Sequence, residues 1–176
     1  SLVEKLLPLR SSQLQIGLAA HSLRAMQEGA LTELVALKND LGLTTPLHIH
    51  IAEQEQEVSD CENHYGCRPI QWVCDNYDMN ESWSLIHATH ITAHELELLA
   101  KSQCIVGLCP TTEANLGDGV FPVKDFLDLD GIIGIGSDSH ISVNPIEELR
   151  WLEYSQRLHY QKRIRLIDEN ITHNGT

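Results

Sequence analysis

Short apolar runs alternate with longer segments of helical spacing along this chain. Gln15–Ala20 (QIGLAA) reads as a strand ending near His21. Ala30 to Leu41 places apolar residues at Leu31, Leu34, Val35 and Leu41, a helical spacing closed by Gly42. Pro46–Ala52 (PLHIHIA) reads as a second strand, followed by a polar helix over Gln54–Tyr65 closed by Gly66 and a short helix over Pro69–Asn76. Ser84–Ala88 (SLIHA) is a third strand. Thr92 with Glu95 three residues on forms a capping box for a helix running to about Lys101. Cys104–Leu108 (CIVGL) is a fourth strand, with a long polar loop, CPTTEANLGDG, after it. Gly131–Gly136 (GIIGIG) is a fifth. Asn144 as N-cap, Pro145 at the first helical position and Glu147 at the third open a long last helix.

The order of elements is that of repeated β/α units. The five runs are apolar throughout, the expectation for parallel strands buried on both faces. The sequence holds no internal repeat, no low-complexity tract and no apolar run of 18 residues. Nothing reads as a signal peptide. The chain does not begin with Met, and neither end has the look of a natural terminus.

Composition narrows the function classes. A formal net charge of -13 over 176 residues argues against nucleic acid and anionic membrane as partners. It also means that an anionic substrate needs local cations. The five cysteines include no CxxC, so free thiols in a reducing cytoplasm are expected. Two glycosylation-type triplets, at Asn170 and Asn174, carry no weight without a secretory context. Histidine is the unusual residue: ten, against two Phe and two Met.

Several of those histidines sit where strands end. His21, His50 and His87 close three apolar runs, and Asp138 follows a fourth. In a β/α barrel the active site is built from C-terminal strand ends and the loops beyond them. The intervals of 29, 37 and 51 residues correspond to one, one and two units at about 31 residues per unit. His48 and His50 share a strand face, because side chains alternate. They are not the ligand pair that opens a barrel. Such a pair would precede the last strand by roughly 210 residues, and only 88 separate His50 from Asp138. His50 therefore reads as a rim ligand and His48, one layer deeper, as a histidine that is packed or supports the ligand from behind. Glu53 follows closely enough to turn back over the strand end as a proton shuttle. His90 reads as a loop histidine, and His64, His94, His159 and His173 fall on polar stretches.

Taken together, HxxE at one strand end, His at the next and Asp at the last resemble the deaminases of the amidohydrolase superfamily. The strings AAHSLRA, CPTTEANLGDGVFP and GIGSDSHISVNPIEELRWLEYSQRL are similar to the formimidoylglutamate deiminase family within it. The resemblance weakens after about Leu166. It implies a partial TIM (β/α)8 barrel, strands four to eight with their helices, lacking the N-terminal half-barrel. Residues 1–140 would be the C-terminal part of the barrel, and 141–176 a post-barrel helix and truncated tail. It implies one divalent metal ion, zinc, with His50 and Asp138 among its ligands. Asp138 would also accept a proton, Glu53 would be the acid/base group and His87 the strand-six catalytic histidine. His21 and Arg24 match a substrate-binding pair. The implied reaction is hydrolytic deamination of N-formimino-L-glutamate, a small dicarboxylate, to N-formyl-L-glutamate and ammonia, a cytoplasmic step of histidine degradation. A homodimer is left open for the parent enzyme, and so are the roles of Glu113, Asn115 and His140.

The family's strand-one His-x-His has no counterpart here, so the chain by itself is expected to be inactive. Two other readings stay open. One is a superfamily deaminase acting on a purine or nucleoside, against which an aromatic content of 5% and the His21–Arg24 pair weigh. The other is a noncatalytic fragment of a larger assembly.

Overall fold

The computed structural model describes residues 2–163 and 165–166; His173, Asn170, Asn174 and the rest of the predicted tail lie outside them. A short helix α1 (Leu2–Leu6) and a 3-10 turn (Leu7–Leu9) precede the first strand. The elements then run β1 (Leu18–Ala20), α2 (Ala30–Asp40), β2 (Leu47–Ile51), α3 (Glu55–Tyr65), α4 (Pro69–Asn76) and β3 (Trp83–His87). They continue through α5 (Ala93–Ser102), β4 (Ile105–Leu108), α6 (Pro110–Leu116), α7 (Val123–Asp128), β5 (Ile132–Ile135) and α8 (Pro145–Tyr160). Among the described residues the strands form a single sheet in the order β1-β2-β3-β4-β5, each parallel to the next. Strictly sequential order is the winding of a (β/α) barrel; a doubly wound sheet reverses partway. Five strands make an arc of such a barrel, the partial barrel the sequence predicts.

The helix signals hold at residue level. Thr92 and Glu95 form the capping box, and the Asn144 side chain accepts from the Ile146 N–H at the start of α8. Gly66 takes φ 76° to end α3, a conformation that penalises other residues. No helix among the described residues is long and apolar enough to cross a membrane.

Three expectations change. The second face of the sheet is only partly covered. Along β2, Leu47, Ile49 and Ile51 are buried against the helical layer, His48 is exposed and His50 half-buried. The sequence reads as doubly buried because a barrel interior is itself a packed core; with five strands the inner face stays partly open, so His48 is not packed. The polar segment after β4 is not a loop. Pro110 at the first helical position, Glu113 in the first turn and Gly117 at the C-cap make it the helix α6. Pro110, Thr111, Thr112 and Glu113 on it are all buried. β1 is also shorter than Gln15–Ala20.

The core joins Leu47, Ile49, Ile51, Leu85, Val106 and Leu108 of the sheet to Ile70, Val73, Leu99 and Phe126 of the helices, each at most 1% exposed. Burial of each such side chain contributes about 1.5–3 kcal/mol. α8 is tied to this body by Glu148, 1% exposed, which accepts from the Thr111 backbone N–H (2.9 Å) and hydroxyl (2.6 Å).

Candidate active site

Parallel strands put all their C-terminal ends on one rim, and the predicted residues gather there. The backbone carbonyl of His21 accepts from the backbone N–H of His50 (3.0 Å) and from its Nδ1 (2.8 Å). The two imidazoles lie 5.4 Å apart between centroids. With Nδ1 so occupied, Nε2 of His50 is the nitrogen left for a ligand, the arrangement usual for metal-binding histidines.

Beyond His50 the chain turns sharply. Ala52 takes φ 50°. The buried carboxylate of Glu57, in the first turn of α3, accepts the backbone N–H groups of Ala52 (3.0 Å) and Glu53 (2.9 Å). That clamp sets where Glu53 starts. Sequence reasoning missed Glu57; its signal was the third acid of the alternating run Glu53, Glu55, Glu57, masked by a helix start in which all three look solvated.

His87 ends β3 and is 0% exposed. Its register partner is Ile51, on the helical side of the sheet. Its φ of 71° breaks the pleat, and its ring stacks on that of His50 at 5.6 Å instead. Nδ1 lies 3.2 Å from Oε1 of Glu113. Nε2 is buried with no hydrogen-bond partner among the described residues, 3.6 Å from Oε1 of Glu53 and 3.9 Å from Oδ2 of Asp138.

Asp138, at φ 47°, lies in the turn after β5. Thr112 of α6 holds that turn: its hydroxyl lies 3.1 Å from the Ser137 carbonyl and 2.8 Å from the Ser139 hydroxyl, and accepts the Ser139 N–H at 3.2 Å. Left-handed backbone at non-glycine residues stores roughly 1–3 kcal/mol each. Finding it at Ala52, His87 and Asp138 means that the folded body over-determines these three strand ends.

The electrostatics suit proton transfer. The Glu53 carboxyl is raised above its ordinary value, chiefly by burial, with Asp118 and Asp138 adding to the rise and His87 and His50 opposing it. Burial works against the charged form of His87, but the Glu113 hydrogen bond and the charges of Glu53, Glu113 and Asp138 outweigh it and raise its pKa. The neighbouring Cys109 thiol is pushed up to about 12, mainly by burial, so it offers no thiolate at neutral pH.

Three predicted residues stand apart. Arg24 is exposed on the turn Leu23–Ala25 and lines a cavity of about 420 Å³ with Glu28, Glu57, Asp60 and His64; none of His50, Glu53, His87 or Asp138 lines it. Asn115 and His140 are exposed.

The donor set fits a metal ion in part. His50 Nε2, Asp138 and the bare, buried Nε2 of His87 face one region, yet the described residues hold no group of three or more His, Cys, Asp or Glu able to enclose an ion. Further ligands would have to come from outside the described residues.

The arrangement has relatives. Formimidoylglutamate deiminase of Pseudomonas aeruginosa is 49% identical over 163 residues, covering 93% of this chain and 35% of that protein. The crystal structure of an amidohydrolase from Brucella melitensis superposes with a TM-score of 0.82 at 46% identity, over 88% of this chain and 34% of that one. An adenosine deaminase from Xanthomonas campestris, solved with bound zinc, shares the fold at a TM-score of 0.75 and 23% identity, over 82% of this chain and 33% of that one. The chain thus spans about a third of the length of the proteins it matches. The model of the Amidohydrolase family matches residues 3–171: the chain belongs to the amidohydrolase family.

Proposed function

We propose that the complete protein hydrolyses N-formimino-L-glutamate to N-formyl-L-glutamate and ammonia, and that this chain supplies its acid–base groups. The observation that carries the reading is the bare, buried Nε2 of His87 between Glu53 and Asp138, beside His50. The similarity to a formimidoylglutamate deiminase over 93% of the chain supports the choice of substrate.

In this reading His50, through Nε2, and Asp138 hold one divalent metal ion, zinc, together with ligands from parts of the protein outside this chain. When bound, such an ion makes water a competent nucleophile at neutral pH by lowering its pKa from about 15.7 to roughly 7. Asp138 takes the proton that the attacking water loses. Glu53, whose raised pKa favours holding a proton, delivers one to the imine nitrogen; the proton taken up by Asp138 supplies the second, so that the nitrogen leaves as ammonia while the carbon-bound hydroxyl returns its proton to Glu53 as the formyl carbonyl forms. His87 faces the oxygen on which charge develops at the tetrahedral carbon. His21, in contact with His50, and Arg24, one turn further along the same loop, receive the substrate carboxylates. Arg24 offers the planar fork that matches a carboxylate, which an acidic protein must supply locally. The setting is cytoplasmic, consistent with five free cysteines.

Ammonia release by the complete protein, measured side by side on N-formimino-L-glutamate and adenosine, tests the assignment. Turnover of the linear amidine alone is expected. Turnover of adenosine alone would replace this reading with that of a ring deaminase.

A further inference from the structure

We infer that Glu113 is a positioning residue for His87: it fixes the proton on Nδ1 and so aims Nε2 at the space between Glu53 and Asp138. The inference rests on the deaminase reading for its consequence in catalysis, and on geometry alone for the hydrogen bond itself.

Glu113 is 7% exposed. Its Oε1 lies 2.8 Å from the backbone nitrogen of Cys109 and 3.2 Å from Nδ1 of His87. The Cys109 N–H is a donor with no alternative role, so Oε1 is fixed as an acceptor. His87 Nδ1 meets this same accepting oxygen, so Nδ1 donates to it. The ring is then defined at one end, and the buried Nε2 at the other end is left for chemistry.

The anchor for this arrangement is α6, on which three consecutive side chains reach three different places. Thr111 bonds Glu148 of α8. Thr112 bonds the turn that carries Asp138. Glu113 bonds His87. One short helix thereby sets the relative position of the β3 and β5 strand ends. The carboxylate stands on the far side of the imidazole from Glu53, so it reaches the reacting region only through His87.

Nitrogen-15 spectra of the complete protein with labelled histidine, with His87 assigned by its loss in His87→Asn, read the protonation of Nδ1 directly. A proton on Nδ1 in the wild type is expected; an unprotonated Nδ1 would overturn the inference, whether or not any variant folds. Glu113→Ala is expected to lose the fixed Nδ1–H and to lower kcat about 10- to 100-fold, the usual effect of removing a partner that orients an active-site histidine, with little change in KM. Glu113→Gln is expected to restore most of that kcat, because the Cys109 N–H keeps the amide oxygen turned toward Nδ1. A merely structural role for Glu113 predicts instead that Ala changes stability and leaves the kcat of the folded fraction and the His87 spectrum as they were. If the complete protein releases no ammonia from N-formimino-L-glutamate, the substrate reading fails while the spectrum still decides the role of Glu113.

Discussion

A histidine ring that is fully buried, bonded through one nitrogen and bare at the other, is costly to build. His87 combines that with a left-handed backbone. Such strain persists only where surrounding contacts hold it, and here Glu113 and the His50 ring do so. Arg24 presents the opposite case: exposed, and lining a cavity that none of His50, Glu53, His87 and Asp138 lines. Its proposed role depends on reaching the carboxylates of a bound substrate. Arg24→Met keeps much of the bulk and removes the fork. A hydrogen bond to a charged group contributes about 1.5–3 kcal/mol, so kcat/KM of the complete enzyme for N-formimino-L-glutamate should fall roughly 10- to 150-fold. Metal content should be unchanged, and a formamidine without carboxylates should be processed equally by both forms. Undiminished turnover of the dianion would remove Arg24 from the binding site.

At the scale of elements, the strands and most helices are legible because their signals are local. Apolar runs of five to seven residues, the Thr92–Glu95 box and the Asn144–Pro145 start need no partner to be read. α6 was not legible. CPTTEANLGDG reads as loop because its polar residues look solvated, yet Thr111, Thr112 and Glu113 are buried, each bonded to a group 25 or more residues away in sequence. Glu57 was hidden for a different reason: its bonds are local but run to backbone N–H groups, which a sequence does not display. Glu148 gives α6 a direct test. Glu148→Ala leaves the Thr111 N–H and hydroxyl without an acceptor in a buried site, a loss of roughly 1–3 kcal/mol. Equilibrium urea denaturation should show a lower midpoint with an unchanged slope. An unchanged midpoint would mean that α6 is held in place by other contacts.

For the whole molecule, the sequential parallel sheet with one face partly open explains both what the chain holds and what it lacks. It brings His50, Glu53, His87 and Asp138 to one rim, as their spacing along β/α units predicted. It leaves β1 and β5 each with an unpaired edge among the described residues, and open edges template association. Ile146, Leu149 and Leu158 of α8 are more than half exposed as well. The 176-residue chain alone is therefore expected to associate in a concentration-dependent way, to bind zinc weakly and to release no ammonia. Sedimentation showing a monodisperse monomer with full activity would mean that the site is complete without further strands.

The central claim is that Glu53 moves the proton that lets ammonia leave. It is tested most directly by kcat for N-formimino-L-glutamate in the complete enzyme carrying Glu53→Gln, with metal content measured on the same samples. Gln keeps the shape and cannot deliver a carboxyl proton. A loss of about 10²- to 10⁴-fold in kcat, the usual contribution of a general acid–base group, with metal content intact, is the predicted result. A Glu53→Gln enzyme that retains its metal and turns over at the wild-type rate would contradict the account.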